Sequence, residues 1–233
     1  MLVSGRNNVK EVLKNYNDIS GIKKAYLQDN FNENDVITLL KERKVEIKRI
    51  KKYELDKLIN NNHQGVVLDM DDYKYCSLDS IIKNKDKCFI VILDHIEDPH
   101  NLGAIVRTVE SAGCDGIILP LHRSVSVNET VMKTSVGALY NVKIAQVTNL
   151  LTTIKQLKQE GFWIVGADMD GENYKNIKYP DKTCLIIGSE GFGMMRVVKS
   201  SCDYIASIPM NGKVNSLNAS VAAGILIYEI INR

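Results

Sequence analysis

Three polar, glycine-bearing segments in the C-terminal two-thirds of the chain hold side chains able to handle a proton or an anion. The first, Asp98-Pro-His-Asn-Leu-Gly-Ala-Ile-Val-Arg107, offers an amide at Asn101 and a permanent cation at Arg107. The second, Gly188-Ser-Glu-Gly-Phe-Gly193, sets the Glu190 carboxylate among glycines. The third runs from Ile208 to Ser220 and puts Asn211, Lys213, Asn215, Ser216, Asn218 and Ser220 within ten residues. Each follows a strongly apolar run (Phe89 to Leu93, Cys184 to Ile187, Tyr204 to Ile208) and precedes a helix-like one. Each therefore sits where strand ends deliver ligand-binding loops.

The same residues have plainer uses. Asn101 is a possible helix cap, and Arg107 can pair with Glu110 at i+3. Asn101 and Arg107 are six residues apart and need not point the same way. Gly188, Gly191 and Gly193 suit a tight strand-to-helix turn, or a cradle in which backbone groups reach a cofactor without side-chain obstruction. In the third segment capping and turn formation explain one or two of the polar residues but not six. Asn218 and Ser220 fall in an otherwise apolar helix, where buried amides and hydroxyls require partners, and a polar ligand at the helix start is the natural candidate.

Other chemistries fit less well. The glycine segment is not a dinucleotide fingerprint, which belongs at the first strand-to-helix turn of its fold, and the absence of G-x-x-x-x-G-K-[ST] argues against P-loop nucleotide hydrolysis. Asp94, His95, Glu97, Asp98 and His100 crowd one short loop around a proline without a distant ligand set, so no metal site is expected. The five cysteines are odd in number and widely spaced, with no C-x-x-C pair. That pattern points to reduced, mostly buried thiols in a cytoplasmic protein. The N-terminus has no signal-peptide core, and the most apolar stretch, Val221 to Ile231, is too short to span a membrane and contains Glu229. A net charge of +2 and 45% hydrophobic residues are those of an ordinary soluble protein, too little to identify a polyanionic partner.

Two domains are expected to position these segments. Helical spacing from Asn7 to Tyr16, a strand at Lys24 to Leu27, a helix through Val36 and Leu40, a strand at Val45 to Ile50, a helix at Tyr53 to Ile59 and a strand at Gly65 to Met70 make an α/β module over residues 1–75. Residues 76–87 are polar and charged and are expected to form a linker. From Cys88 onward short β-branched runs alternate with helical stretches: Cys88 to Leu93, Ile117 to Leu119, Val142 to Val147, Phe162 to Ala167, Cys184 to Ile187 and Ile205 to Ile208. Such runs predict a mainly parallel sheet covered on both faces, over residues 88–233. The last helix, Leu217 to Ile231, is apolar almost all round and is expected to be buried, in the sheet layer or against a partner subunit.

The first module carries eight Lys or Arg against four Asp or Glu between Lys41 and Lys57. This is either a solvated face or a phosphate-backbone contact beside Tyr53, with Lys48, Arg49, Lys51 and Lys52 as candidates. His63-Gln64-Gly65 before a strand is a turn or a polar edge that meets RNA.

At the three polar segments the chain resembles the SpoU (TrmH-type) branch of the SPOUT RNA methyltransferases, which transfer methyl from S-adenosylmethionine to a ribose 2′-hydroxyl. The segments look like the three ordered motifs of that family. The opening Ser4-Gly-Arg-Asn7, with Arg6, and the His63-Gln64-Gly65 step resemble the L30e-like substrate-binding domain of its RlmB-like subgroup. That subgroup methylates a guanosine in the peptidyl-transferase loop of large-subunit ribosomal RNA. The resemblance implies a deep C-terminal trefoil knot and a homodimer, formed through the C-terminal domain, whose active site is completed across the interface. It places the cofactor among backbone groups at Gly188, Ile208 and Leu217, with Gly191 and Met210 beside them. Asn101, Arg107, Glu190, Ser216 and Asn218 fall at or near the reacting centre, with Glu190 fixing its loop or holding Arg107, and no metal is required. Asn215, where relatives often carry Ser, and Phe192, where an acid is common, depart from the pattern. A transfer-RNA ribose methyltransferase of the same fold and a non-catalytic RNA-binding or ribosome-assembly protein are the alternatives.

Overall fold

A computed structural model describes residues 1–15, 21–60 and 62–233. The chain forms two compact units, Met1–Lys74 with Val127–Tyr140, and Tyr75–Ser126 with Asn141–Arg233.

The first unit contains β1 (Leu2–Ser4), α1 (Arg6–Asn15), β2 (Ile22–Gln28), α2 (Asn34–Glu42), β3 (Ile47–Ile50), α3 (Lys52–Leu58) and β4 (Val66–Met70). Its sheet has the order β1-β4-β2-β3, antiparallel at β1/β4 and β4/β2 and parallel at β2/β3. The helical spacing of Val9, Val12 and Leu13 is satisfied by burial of all three; Tyr16, expected to continue it, lies outside the described residues. β1 has only three residues, too few to show a period-2 signal.

The second unit begins with α4 (Leu78–Ile82), inside the segment expected to be a linker. Ile81 and Ile82 are buried among Ile90, Ile92 and Ile118. Two apolar side chains, each worth about 1.5–3 kcal/mol when fully buried, make this turn part of the core. It continues through β5 (Cys88–Asp94), α5 (Pro99–Ala112), β6 (Gly116–Pro120), β7 (Ile144–Val147), α7 (Leu150–Gln159), β8 (Trp163–Asn173), β9 (Lys182–Gly188), α8 (Arg196–Lys199), β10 (Tyr204–Ser207) and α9 (Ala219–Ile231). The six strands form one wholly parallel sheet in the order β10-β8-β9-β5-β6-β7, as the β-branched runs predict. Every residue of β5 is buried. One face of the sheet packs on α4, α7 and α8 through Ile81, Ile154, Leu157 and Val198. Helix α9 contacts α5 and β9.

The intervening helix α6 (Glu129–Ser135) and a 3₁₀ turn at Ala138–Tyr140 cluster with the first unit, not the second. The Glu129 carboxylate accepts the Ser4 backbone N–H at 3.0 Å. Nothing in the local sequence signals this return, since the partner lies 125 positions away. All five cysteines are free; Cys88 and Cys184 are buried and the other three half-buried. Among the described residues no helix is long and apolar enough to cross a membrane.

Candidate active site

The site lies at the carboxyl ends of β9 and β10 and beside the middle of β8, where a parallel sheet presents its loops. β9 ends at Gly188, and the chain folds back at once: Ser189 and Gly193 exchange backbone hydrogen bonds of 3.0 and 2.9 Å. A Cβ on Gly188 would stand 2.2 Å from the Gly193 carbonyl carbon, so only glycine allows this return. Gly191 and Gly193 hold φ of +82° and +66°, the left-handed region that glycine enters without strain. Two backbone hydrogen bonds close the turn, and Glu190 projects from it.

A fastening that the sequence did not reveal holds the end of this loop. Asp94, buried at the end of β5, accepts the Met195 N–H at 2.8 Å and also bonds His95 Nδ1. Its position in an apolar run was the available signal, because a carboxylate buried there demands partners.

Three side chains from the three segments meet around Glu190. Asn101 Nδ2 donates to Glu190 Oε1 at 2.9 Å, Asn218 Nδ2 donates to the same oxygen at 2.5 Å, and the Ala219 N–H approaches it at 3.4 Å. Asn218 Nδ2 also donates to Asn101 Oδ1 at 3.0 Å, closing the ring. Asn218 Oδ1 meanwhile caps α9, accepting the N–H groups of Ser220 and Val221 at 2.9 and 3.3 Å. Both edges of one amide are used, so the capping role and the site role of Asn218 coexist. Asn101 does not cap α5: Asp98 does so by accepting the His100 N–H, with Pro99 at the first helical position. Asn101 lies inside the first turn and is 4% exposed.

A cavity of about 630 Å³ adjoins this cluster. Gly188, Gly191, Ile208, Met210 and Leu217, the five residues expected around a cofactor, all line it, as do Glu190, Ser216 and Asn218. Ser216 is exposed in the loop before α9. A bulge in β8 shapes the far wall. Ile205 pairs with Gly166 but Ala206 pairs with Glu172, so Ala167 to Gly171 leave the ladder. That bulge delivers Asp168 to the cavity, where it forms a 2.8 Å ion pair with Lys199. Burial alone would raise the Asp168 pKa, but the Lys199 hydrogen bond and charge and two backbone N–H groups together lower it below its ordinary value. These polar residues look like a turn in sequence, which hid the pair.

Arg107 stands apart. It is exposed on α5, does not line the cavity, and makes no hydrogen bond or ion pair among the described residues. Glu190 is committed to the two amides and does not hold Arg107. Glu110, the alternative partner of Arg107, accepts from Asn141 Nδ2 at 3.1 Å.

In the first unit the basic candidates divide into tied and untied. His63 is buried, with Nε2 2.9 Å from an Asp56 carboxylate oxygen and Nδ1 accepting the Gly65 N–H at 3.0 Å. It braces the turn into β4 and does not face solvent. Gln64 accepts the Arg6 N–H at 2.9 Å, Arg6 also pairs with Glu33, and Arg49 donates to the carbonyls of Gln28, Asp29 and Phe31. Lys48, Lys51 and Lys52 are exposed, beside a Tyr53 ring that Lys57 Nζ approaches to 5.5 Å. Among the described residues no three His, Cys, Asp or Glu side chains gather to hold a metal ion.

Comparison with known proteins gives two family matches. Residues 88–228 match the SpoU rRNA methylase family, and residues 2–76 match the family described as RNA 2′-O ribose methyltransferase substrate binding. A Staphylococcus haemolyticus protein named "Putative TrmH family tRNA/rRNA methyltransferase" is 42% identical over 243 residues, covering 100% of this chain and 96% of its own. A Bacillus subtilis protein of the same family name is 40% identical over 236 residues, covering 99% and 95%. Among solved structures, the SpoU methyltransferase AviRb of Streptomyces viridochromogenes, in complex with AdoMet, superposes with a TM-score of 0.83 at 23% identity, covering 100% of this chain and 89% of that one.

Proposed function

Because the chain belongs to the SpoU rRNA methylase family, we propose that it transfers a methyl group from S-adenosylmethionine to a ribose 2′-hydroxyl of RNA, with a guanosine of large-subunit ribosomal RNA as the target. The convergence of Asn101, Glu190 and Asn218 beside the cavity carries this reading. The cavity fits the cofactor: Ile208, Met210 and Leu217 supply apolar wall, and Gly188, Gly191 and Gly193 bring backbone groups to it without side chains. AviRb, of the same fold, was solved with AdoMet bound.

The bound cofactor supplies an electrophilic methyl on a sulfonium. The protein must hold the hydroxyl in line with it and manage the departing proton. Alignment of two reactants is worth roughly 7–11 kcal/mol, so positioning is the largest contribution expected of these residues. Glu190 Oε1 and the two amides fix the loops of all three segments against one another. Arg107 binds the neighbouring phosphate and stabilises the developing alkoxide, or acts as the base for the hydroxyl proton.

The position of Arg107 outside its own chain's cavity favours a homodimer, in which a second copy brings an arginine to each site. Helix α9 supports the same conclusion: Ala223, Leu226 and Ile227 are buried within the chain, yet Val221 and Tyr228 are 50% and 46% exposed. Such apolar residues suit a subunit interface. The trefoil knot that the resemblance implies is in keeping with α9 packing back on α5 and β9. Ribosomal RNA is favoured as substrate because the first unit matches a dedicated substrate-binding domain and bears the exposed Lys48, Lys51 and Lys52. A cytoplasmic location accords with an RNA substrate and with five free thiols.

The test is methyl transfer from labelled S-adenosylmethionine to unmodified ribosomal and transfer RNA, with wild type and Arg107→Ala side by side. Label on a ribose of large-subunit RNA, lost in the variant, is the expected result. Label on transfer RNA alone would overturn the substrate. No label on either RNA, with cofactor still bound, would favour a non-catalytic binder.

A further inference from the structure

Phe192 is 95% exposed, the highest value among the large exposed hydrophobic residues described. It sits at the tip of the turn closed by the two Ser189–Gly193 hydrogen bonds, between Gly191 and Gly193 and two residues from Glu190. Among the described residues it is the one aromatic side chain that lines the cavity. Removing a Phe ring from water is favourable, so a ring held over an open site is unpartnered until something flat and apolar covers it. Met195 and Val197, which follow it, are also exposed, at 46% and 50%.

Resting on the function proposed above, we infer that Phe192 is a substrate-positioning residue that stacks on an unpaired base of the RNA at or next to the methylated nucleotide. A general property of RNA and the place of the ring converge on a base. A ribose can enter such a site only from RNA whose nucleotides are splayed out of a helix, and unstacked bases are what aromatic side chains take up in RNA recognition. The ring is at the cavity rim, so a base covering it brings its own ribose, or its neighbour's, towards Glu190. The ring carries no charge and no hydrogen-bonding group, so it fixes where a base lies without reading which base it is, as in sequence-tolerant stacking on single strands.

The experiment compares wild type with Phe192→Ala, Phe192→Leu and Phe192→Trp in the full-length protein. It measures three things: the KM and kcat for an unmodified large-subunit transcript, the Kd for S-adenosylhomocysteine, and the solution mass. A ring with almost no packing contacts can be removed without unfolding the chain, and unchanged melting temperatures verify this. Expected are a KM for RNA raised about tenfold or more in Phe192→Ala and Phe192→Leu, recovery in Phe192→Trp, and cofactor affinity and mass unchanged. An RNA KM within twofold of wild type in Phe192→Ala would overturn the inference. So would full recovery by Leu, which would make the contact merely apolar. A weakened cofactor Kd would mean that the ring covers the cofactor, and a halved mass that it meets a second copy. If wild type itself transfers no methyl to any RNA while binding cofactor, the functional reading fails, and this inference falls with it.

Discussion

Asn218 Nδ2 stands 3.0 Å from Asn101 Oδ1 although 117 residues separate the two, and both amides donate to the same oxygen of Glu190. One carboxylate thus pins the first turn of α5 to the cap of α9. A displacement of about 1 Å at a reacting centre can cost on the order of 10²-fold in rate, so loosening this small network is expected to lower activity.

Glu190→Ala leaves the buried Asn101 amide nitrogen without its acceptor and ties Asn218 to α5 through Asn101 Oδ1 alone. Methyl transfer is expected to fall roughly 100-fold, with a loss of about 1–3 kcal/mol in stability from the unsatisfied amide. Glu190→Gln keeps a carbonyl oxygen in the same place and is expected to retain activity within about tenfold of wild type if the role is acceptance rather than charge. Steady-state kinetics and urea unfolding of the three proteins together decide between these roles.

The parallel strands were legible because their runs are apolar and β-branched: β5, β6 and β9 appear within two residues of the positions that Cys88 to Leu93, Ile117 to Leu119 and Cys184 to Ile187 mark. The three segments were legible as a site because their polar residues exceed what capping and turns require, and Asn101, Glu190 and Asn218 do meet. What escaped was non-local. Glu129 finds Ser4 across 125 positions, and the β8 bulge looks like a turn because Asp168 and Asp170 interrupt an apolar run. His63 beside a strand suggested an RNA edge because sequence does not report burial, and its ring is 4% exposed.

His63→Ala should therefore act on folding. It removes the acceptor of the Gly65 N–H and the partner of Asp56, with an expected loss of about 1–3 kcal/mol in stability. Cofactor affinity should be unchanged, because the cavity lies wholly in the other unit. Weakened RNA binding without any loss of stability would restore a direct RNA contact.

Four of the thiols should be inert at pH 8. Burial, with the nearby Asp115 charge, pushes Cys88 and Cys114 up to about 12, and burial with the Asp203 charge does the same for Cys202. Complete burial raises Cys184 well above its ordinary value. Thiolates are the reactive form, so iodoacetamide should label these four slowly in the folded protein and quickly once it is unfolded, as read by peptide mass spectrometry. A raised thiol favours the folded state below its ordinary pKa of 9.0, and that contribution is lost as pH rises from there towards 12. Rapid labelling of Cys184 under native conditions would show that the sheet core opens.

Asp168 and Lys199 test the cavity wall by pH and by charge. The Asp168 pKa is lowered because Lys199 and two backbone N–H groups outweigh the upward push of burial. Its contribution to stability is present above the ordinary carboxyl value of 3.8 and is lost as pH falls through the lowered folded value. Asp168→Asn should lower the melting temperature at neutral pH and flatten its fall in that acid range, because the variant has no such contribution to lose. Lys199→Met removes the cation and leaves Asp168 as a net negative charge on the wall. A cationic sulfonium gains from that charge and a neutral thioether does not. The ratio of S-adenosylmethionine to S-adenosylhomocysteine affinity should therefore rise in the Lys199 variant, most clearly at low salt, where screening is weak. An unchanged ratio across salt concentrations would mean that the pair only anchors the β8 bulge.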